Sequence, residues 1–289
     1  MPTKPFHFEL YSVHAHVNDT PADYLKLLDA LVGLQEYHSE SGDYHRYVGQ
    51  ASLSNSQLFL VVYTGHSEKS TLFFDLTAKV ELTESIGPGR FQARKTHAMV
   101  DAGKRLLVIE TKKGGLNPFS LAILIEEFLR KKSEFKNLEL SFIPIADKEF
   151  SARIDEFSRI RSATITIARP NVDWTDRHNQ LTEVAKESDA KALDVTARAK
   201  RGKGLSKEHG IIEFIKSSAT SAKSMFKKIK IIGSIGDGPG LITLDLSKHV
   251  RHLDVAMETN SETNLPSESD VRSKLSTYLN NIPAENGEH

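Results

Sequence analysis

Leu58-Phe59-Leu60-Val61-Val62-Tyr63 is apolar without interruption. The run is too short for a typical helix, so it reads as a strand covered on both faces. That one inference demands packing layers above and below a sheet. The strand partners expected for it are Thr71 to Leu76 and Ala93 to Val100, and a further strand, Arg105 to Glu110, follows the tight Asp101-Ala102-Gly103 turn.

The layers have candidates on either side. Phe6 to Val13 alternates apolar and polar residues, which at period two makes a half-buried strand. Thr20 reads as an N-cap and Pro21 as the first helical residue, with Tyr24, Leu27, Leu28 and Leu31 on one apolar face. Beyond the strands, Gly114-Gly115 reads as a hinge. It divides an N-terminal α+β domain, residues 1–115, from a C-terminal α+β domain, residues 116–289.

In the second half, Asn117-Pro118 caps a helix whose Phe119 to Leu129 segment is apolar almost all round, as a buried helix between two halves would be. Leu138, Leu140 and Phe142 mark a strand, and the β-branched Ile160 to Ala168 another. Asp173 is placed to cap a helix from Trp174, and Ser206 one that carries Ile211, Ile212 and Ile215. Ala192 to Ala197, Phe226 to Ile232, Leu241 to Leu246 and Val250 to Met257 read as strands. Ser267 caps a last helix with Val271, Leu275, Tyr278 and Leu279 on one face, and Pro283 to His289 reads as a disordered tail. The expected fold class is α+β with two lobes, each a mostly antiparallel or mixed sheet packed with helices.

Composition narrows the chemistry. There is no cysteine, so disulfides, thiolate metal sites and cysteine nucleophiles are excluded. No window approaches the roughly 18 apolar residues of a membrane span, and no secretory leader is visible, so the expectation is a cytoplasmic protein without membrane insertion. Lys and Arg number 38 against 38 Asp and Glu, so any local excess of cations is offset elsewhere.

That excess lies between Ala197 and Lys230. Arg198, Lys200, Arg201, Lys203 and Lys207 form a loop interleaved with Gly202 and Gly204, and Lys227, Lys228 and Lys230 sit on the following strand. A segregated cationic patch of this kind suits a phosphate backbone; a solvated lysine-rich face has the same composition. No zinc finger, RNA-binding aromatic motif or helix-turn-helix accompanies it, so the expected contact is with DNA backbone rather than bases.

A second constellation is Asp101 with Glu110 and Lys112. Two carboxylates and a lysine on neighbouring strand and turn positions could hold Mg²⁺ against a phosphate, the arrangement that the Asp…Glu-x-Lys signature of restriction-like nucleases resembles. A surface ion-pair ladder is the alternative. His14-Ala15-His16 reads as two exposed strand histidines, and Gly233 to Gly240 as a hairpin loop without the ending of a phosphate loop. No cofactor is expected, and Mg²⁺ only under the nuclease alternative.

The order Gly103-Lys104-Arg105-Leu106-Leu107-Val108-Ile109, Gly115-Leu116-Asn117-Pro118, a helix ending in Phe128-Leu129, then strands Leu138 to Ile145 and Arg159 to Ala168, resembles the middle of the RexA-like phage-exclusion proteins. The resemblance implies two α+β lobes and a homodimer that binds DNA without strong sequence preference in antiviral defence. It gives no reason to expect the Asp101, Glu110 and Lys112 set. The expected function is therefore non-specific DNA binding through Arg198 to Lys207 and Lys227 to Lys230. A Mg²⁺-dependent nuclease and a protein–protein adaptor within a defence complex are the alternatives.

Overall fold

A computed structural model describes residues 2–18, 20–68, 70–75, 79–87, 89–168, 192–221, 224–236 and 240–283. In chain order the elements are β1 (Thr3–Val17), β2 (Thr20–Pro21), α1 (Tyr24–Val32), β3 (His38–Ser41), β4 (Tyr44–Ser54), β5 (Gln57–His66), β6 (Ser70–Asp75), β7 (Val80–Ser85), β8 (Arg94–Asp101), β9 (Leu106–Glu110) and α2 (Pro118–Leu129). There follow β10 (Leu138–Pro144), α3 (Glu149–Asp155), β11 (Arg159–Ala168), β12 (Ala192–Arg198), α4 (Ile211–Ser218), β13 (Phe226–Ser234), β14 (Ile242–Asp245), β15 (His252–Glu258) and α5 (Glu268–Asn281). The helix expected from Asp173-Trp174, and the tail from residue 284 on, lie outside the described residues.

The fold is α+β, and its sheets are antiparallel among the described residues. A nine-stranded sheet runs β10-β1-β9-β8-β5-β4-β3, with β15 and β2 also paired to β1. The apolar run sits in β5, deep inside it. Leu58, Leu60 and Val62 pack in one cluster with Leu27, Leu28 and Leu31 of α1 and Leu121, Leu124 and Ile125 of α2. Phe59 and Val61 pack in another with Val271, Leu275 and Leu279 of α5. The layers demanded by the sequence are these helices, one pair on one face and α5 on the other.

One expected partner of β5 is right: β8 pairs with it from Gln57↔Asp101 to Thr64↔Arg94. The other is not, because β6 pairs with β7 in a separate ribbon. The second neighbour of β5 is β4, which the sequence reading leaves unassigned. Its register shifts between Val48 and Gln50, where Gly49 is an extra residue, and a bulge of this kind erases alternation.

β1 organises the whole. Tyr11 to Val17 pair with β10 and Thr3 to Glu9 with β15, so two strands lie end to end along one edge, while Phe8 to Ser12 pair with β9 on the other. The large sheet thus draws strands from both sides of Gly114-Gly115. α2 is buried on one face only, since Leu121, Leu124, Ile125 and Leu129 are in the core while Phe119 is 74% exposed.

Two helix starts differ from expectation for local reasons. Thr20-Pro21 still pairs with β1, opposite Val17 and His16, and the helix begins only after Asp23, whose carboxylate accepts from the Leu25 and Lys26 N–H groups. Ser206 only accepts from the Glu208 N–H, and α4 starts after Gly210, whose φ of 72° suits glycine. Asn117 and Ser267 cap α2 and α5 as expected.

The second sheet is four-stranded, β12-β11-β13-β14. α3 and α4 cover one of its faces, with Phe150, Ile154, Ile212 and Ile215 packed against Ile160, Ala163, Ile165, Ile229 and Ile231. It meets the first sheet through short backbone links such as Ala146 N–H to Ala219 O, and through His14 Nε2, 3.1 Å from Ser224 O.

Candidate nucleic-acid interface

Residues directly opposite in an antiparallel ladder point to the same face. In the second sheet, Arg198 is opposite Ser162 and Ser162 opposite Ile232; Thr196, Thr164 and Lys230 make the next such row, and Asp194, Thr166 and Lys228 the third. Arg198, Lys228 and Lys230 are all exposed and share the face away from α3 and α4. Among the described residues no helix packs on it. Its middle is a strip of hydroxyls, with Thr164 and Thr196 in contact at 3.0 Å and Thr166 donating to Asp194 at 2.6 Å.

A β-bulge makes this arrangement possible. Thr166 pairs with Lys228 but Ile167 with Phe226, so Lys227 is the extra residue. With strict alternation Phe226 and Lys228 would share a face. The inserted residue turns Phe226 into the core, while Lys228 stays with Lys230 outside.

The face is not uniformly basic. Asp245 is paired with Lys230 across β13 and β14. Its slight burial alone would raise its pKa, but hydrogen bonds from Ser247 and the charges of Lys248 and Lys230 hold it below the ordinary aspartate range. Asp194 and Asp245 thus temper the lysine rows, and the strongest cation density lies at the Arg198 end.

There the chain turns back on β11. Ala199 N–H donates to Arg161 O, Lys203 N–H to Lys200 O and Leu205 N–H to Ile160 O, and Gly202 with φ of 83° occupies the turn. Arg159 Nε donates to Lys203 O. Lys200, Arg201 and Lys203 project from this braced turn, all exposed, and no acid among the described residues lies within ion-pair distance of them. Arg159 and Arg161 stand beside them. Both arginines look like ordinary strand residues in the sequence; the structure makes Arg161 the extra residue of a second bulge, between Ile160 and Ser162.

Two predicted residues do not belong to the surface. Lys207 Nζ donates to Asp155 O at 2.8 Å, satisfying a carbonyl at the C-terminus of α3 on the helix side of the sheet. Lys227, half-buried at the bulge, does not fall into the exposed rows of Lys228 and Lys230.

Asp101, Glu110 and Lys112 do not converge. Asp101 closes the β8–β9 hairpin opposite Leu106, while Glu110 hydrogen-bonds His97, four residues back along β8, about 13 Å away at strand rise. Asp101 is committed elsewhere, accepting from Gln57 Nε2 and from the Lys104 N–H. Glu110 is 3% exposed, with one oxygen 2.7 Å from His97 Nδ1 and the other 2.6 Å from Lys112 Nζ. Burial would raise its pKa, but the His97 hydrogen bond and the Lys112 charge outweigh this and hold it below the usual glutamate range. The surface ladder holds only in part, since Lys112 and Glu110 do pair but the carboxylate lies in the core and only the lysine reaches the surface.

His14 and His16 are also buried, against the expectation of exposure, because β1 is flanked by strands and the second sheet closes over this end of it. Gly233 lies in β13 where a Cβ would collide with the Arg159 carbonyl, so backbone crowding explains that glycine. Residues 237–239 of the glycine-rich loop lie outside the described ones.

Among the described residues no helix is long and apolar enough to cross a membrane. No curated protein matches the chain. Residues 4–224 match the model of a family described as a domain of unknown function, DUF4747, a span that takes in Arg198 to Lys207 and stops just short of β13. The chain belongs to the DUF4747 family.

Proposed function

We propose that the protein binds DNA through its phosphate backbone, without sequence preference, using the outer face and adjoining turn of the second sheet. The observation that carries this reading is the register that aligns Arg198, Lys228 and Lys230 on one face, which no helix covers among the described residues, beside Lys200, Arg201 and Lys203. The hydroxyls of Ser162, Thr164 and Thr196 between them suit phosphate oxygens, which accept from such donors. Gly202 leaves open space at the tip of the turn where the backbone can approach, while Gly204 lets the turn lie close against Arg159 and Ile160.

The organisation we propose with it is two lobes, one on each sheet, with the DNA surface wholly on the second. The resemblance to RexA-like proteins adds a cytoplasmic homodimer acting in antiviral defence or phage exclusion. A partner protein of the same defence system is the alternative target of the basic surface.

The test is a titration of labelled duplex and single-stranded DNA across salt concentrations. Each phosphate contact contributes about −0.9 to the slope of log K against log salt on a duplex. Reversing Lys200, Arg201 and Lys203 together to Glu should lower affinity at least about 100-fold at moderate salt and flatten the slope by about 3. Lys207→Ala should leave both nearly unchanged. Equal affinity in the triple variant would place the contact elsewhere, and a shift with an acidic partner but none with DNA would favour the adaptor. Sedimentation of the purified chain tests the dimer, and phage plating efficiency on cells with and without the triple variant tests the setting.

A further inference from the structure

The β3–β4 hairpin separates two kinds of chemistry by its alternation. One face is structural: Ser39 and Arg46 are opposite each other, and both hydrogen-bond Glu127 of α2, with Arg46 4% exposed. The other face carries Glu40 directly opposite His45, with His38 two residues from Glu40 on the same side. The anchored face holds the hairpin rigid, so the exposed face is a fixed platform.

On that platform His38 Nε2 lies 3.0 Å from His45 Nδ1, and Glu40 Oε2 lies 3.8 Å from the same nitrogen. The three atoms are all within 4.8 Å of one another. His45 is the most constrained of the three. Its ring is flanked by those of His38, at 5.2 Å, and Phe91, at 5.3 Å, both close to parallel. Its other nitrogen, Nε2, is 2.7 Å from the Ser67 hydroxyl, and Ser67 is itself tied to the hairpin turn through its N–H to Asp43 O.

The approach of Phe91 has its own sequence cause. Opposite His45 on β5 stands Gly65, where a Cβ would collide with the Gln92 backbone. The missing side chain admits the Phe91-Gln92 segment, and with it the ring against His45.

We propose that His38, Glu40 and His45 bind a divalent transition-metal ion of the zinc class. Two imidazoles and one carboxylate favour such an ion over Mg²⁺ or Ca²⁺, which prefer all-oxygen sites. A tetrahedral ion about 2.0–2.2 Å from each donor keeps the donor atoms roughly 3.3 Å apart, so the observed spacing needs only small adjustments. Glu40, with its side chain 67% exposed, is free to make them. With Nδ1 on the metal, His45 donates from Nε2 to Ser67, the outer-shell bond that fixes tautomer and ring orientation at such sites. Three protein ligands leave a fourth position open to water or to a ligand. The site lies on the first sheet and is independent of the DNA-binding proposal.

The test uses the full chain, freed of tags and stripped with a chelator, titrated calorimetrically with Zn²⁺. About one equivalent should bind, and His38→Ala and Glu40→Gln should each weaken that affinity at least about tenfold. Both side chains are exposed, so circular dichroism of these variants should match the parent. Co²⁺ should give visible absorption bands of a low-coordinate site, absent in His38→Ala. No uptake of micromolar Zn²⁺ by the parent chain, or unchanged affinity in His38→Ala, would overturn the assignment.

Discussion

Glu110→Ala should destabilise the protein by about 3–5 kcal/mol, the cost of removing one partner from a buried ion pair. The carboxylate joins a fully buried imidazole to a lysine that is only partly exposed. His97 is 0% exposed and gives Glu110 both its Nδ1 and its backbone N–H, while Lys112 reaches back from two residues beyond β9. Alanine leaves the His97 donors unsatisfied in the core beside Phe59, whose ring is stacked at 6.2 Å. Glu110→Gln keeps an acceptor oxygen and should cost less. Denaturant midpoints of the three proteins measure the order directly.

The same group gives stability a defined pH dependence. Its folded pKa lies below the ordinary value of 4.5, so its contribution is fully present above that value and lost as pH falls through the folded one. The stability gap between the parent and Glu110→Gln should therefore be widest near neutrality and narrow in acid. A gap that stays constant between neutral pH and pH about 3 would mean that the pair adds nothing specific to the ionised carboxylate.

Glu110 also marks where the sequence stops being legible. Its spacing to Lys112 is visible in the chain, and the two do touch. The third partner is His97, thirteen residues earlier, chosen by the β8–β9 register, whereas Asp101 was attractive only through its closeness in sequence. The elements themselves are mostly readable, because the 3.6-residue and two-residue periods survive in α1, α5, β10 and β11 and the unbroken apolar run marks β5. They fail at bulges: Gly49 hides β4, and Lys227 hides the reversal of faces between Phe226 and Lys228. They also fail where a strand becomes central. His14 and His16 look like exposed positions until β1 acquires neighbours on both edges and the second sheet beyond. The cations of the basic turn are legible because Lys200 to Lys203 are contiguous in the chain, although the turn they project from is braced by bonds to β11. Its alignment with Lys228 and Lys230 depends on the strand order β12-β11-β13, which no local pattern encodes.

Phe59→Ala and Leu60→Ala should each destabilise strongly, by about 3–5 and 2–5 kcal/mol, although the two residues are neighbours in sequence. Both are 1% exposed or less. Phe59 lies in the cluster with Val271, Leu275 and Leu279 of α5, and Leu60 in the cluster with Leu28 and Leu31 of α1 and Leu121 and Leu124 of α2. Since the side chains share no cluster, the cavities form on opposite faces of the sheet, and the two losses should add to within about 0.5 kcal/mol in the double variant. The measurement is a double-mutant cycle in denaturant, carried out with Leu60→Val if the double alanine variant no longer folds. Strong coupling between the two sites would mean that the faces collapse together and that α5 does not pack as an independent layer. Additivity is what an unbroken apolar strand requires: it can be buried on both sides only if two separate sets of side chains cover it.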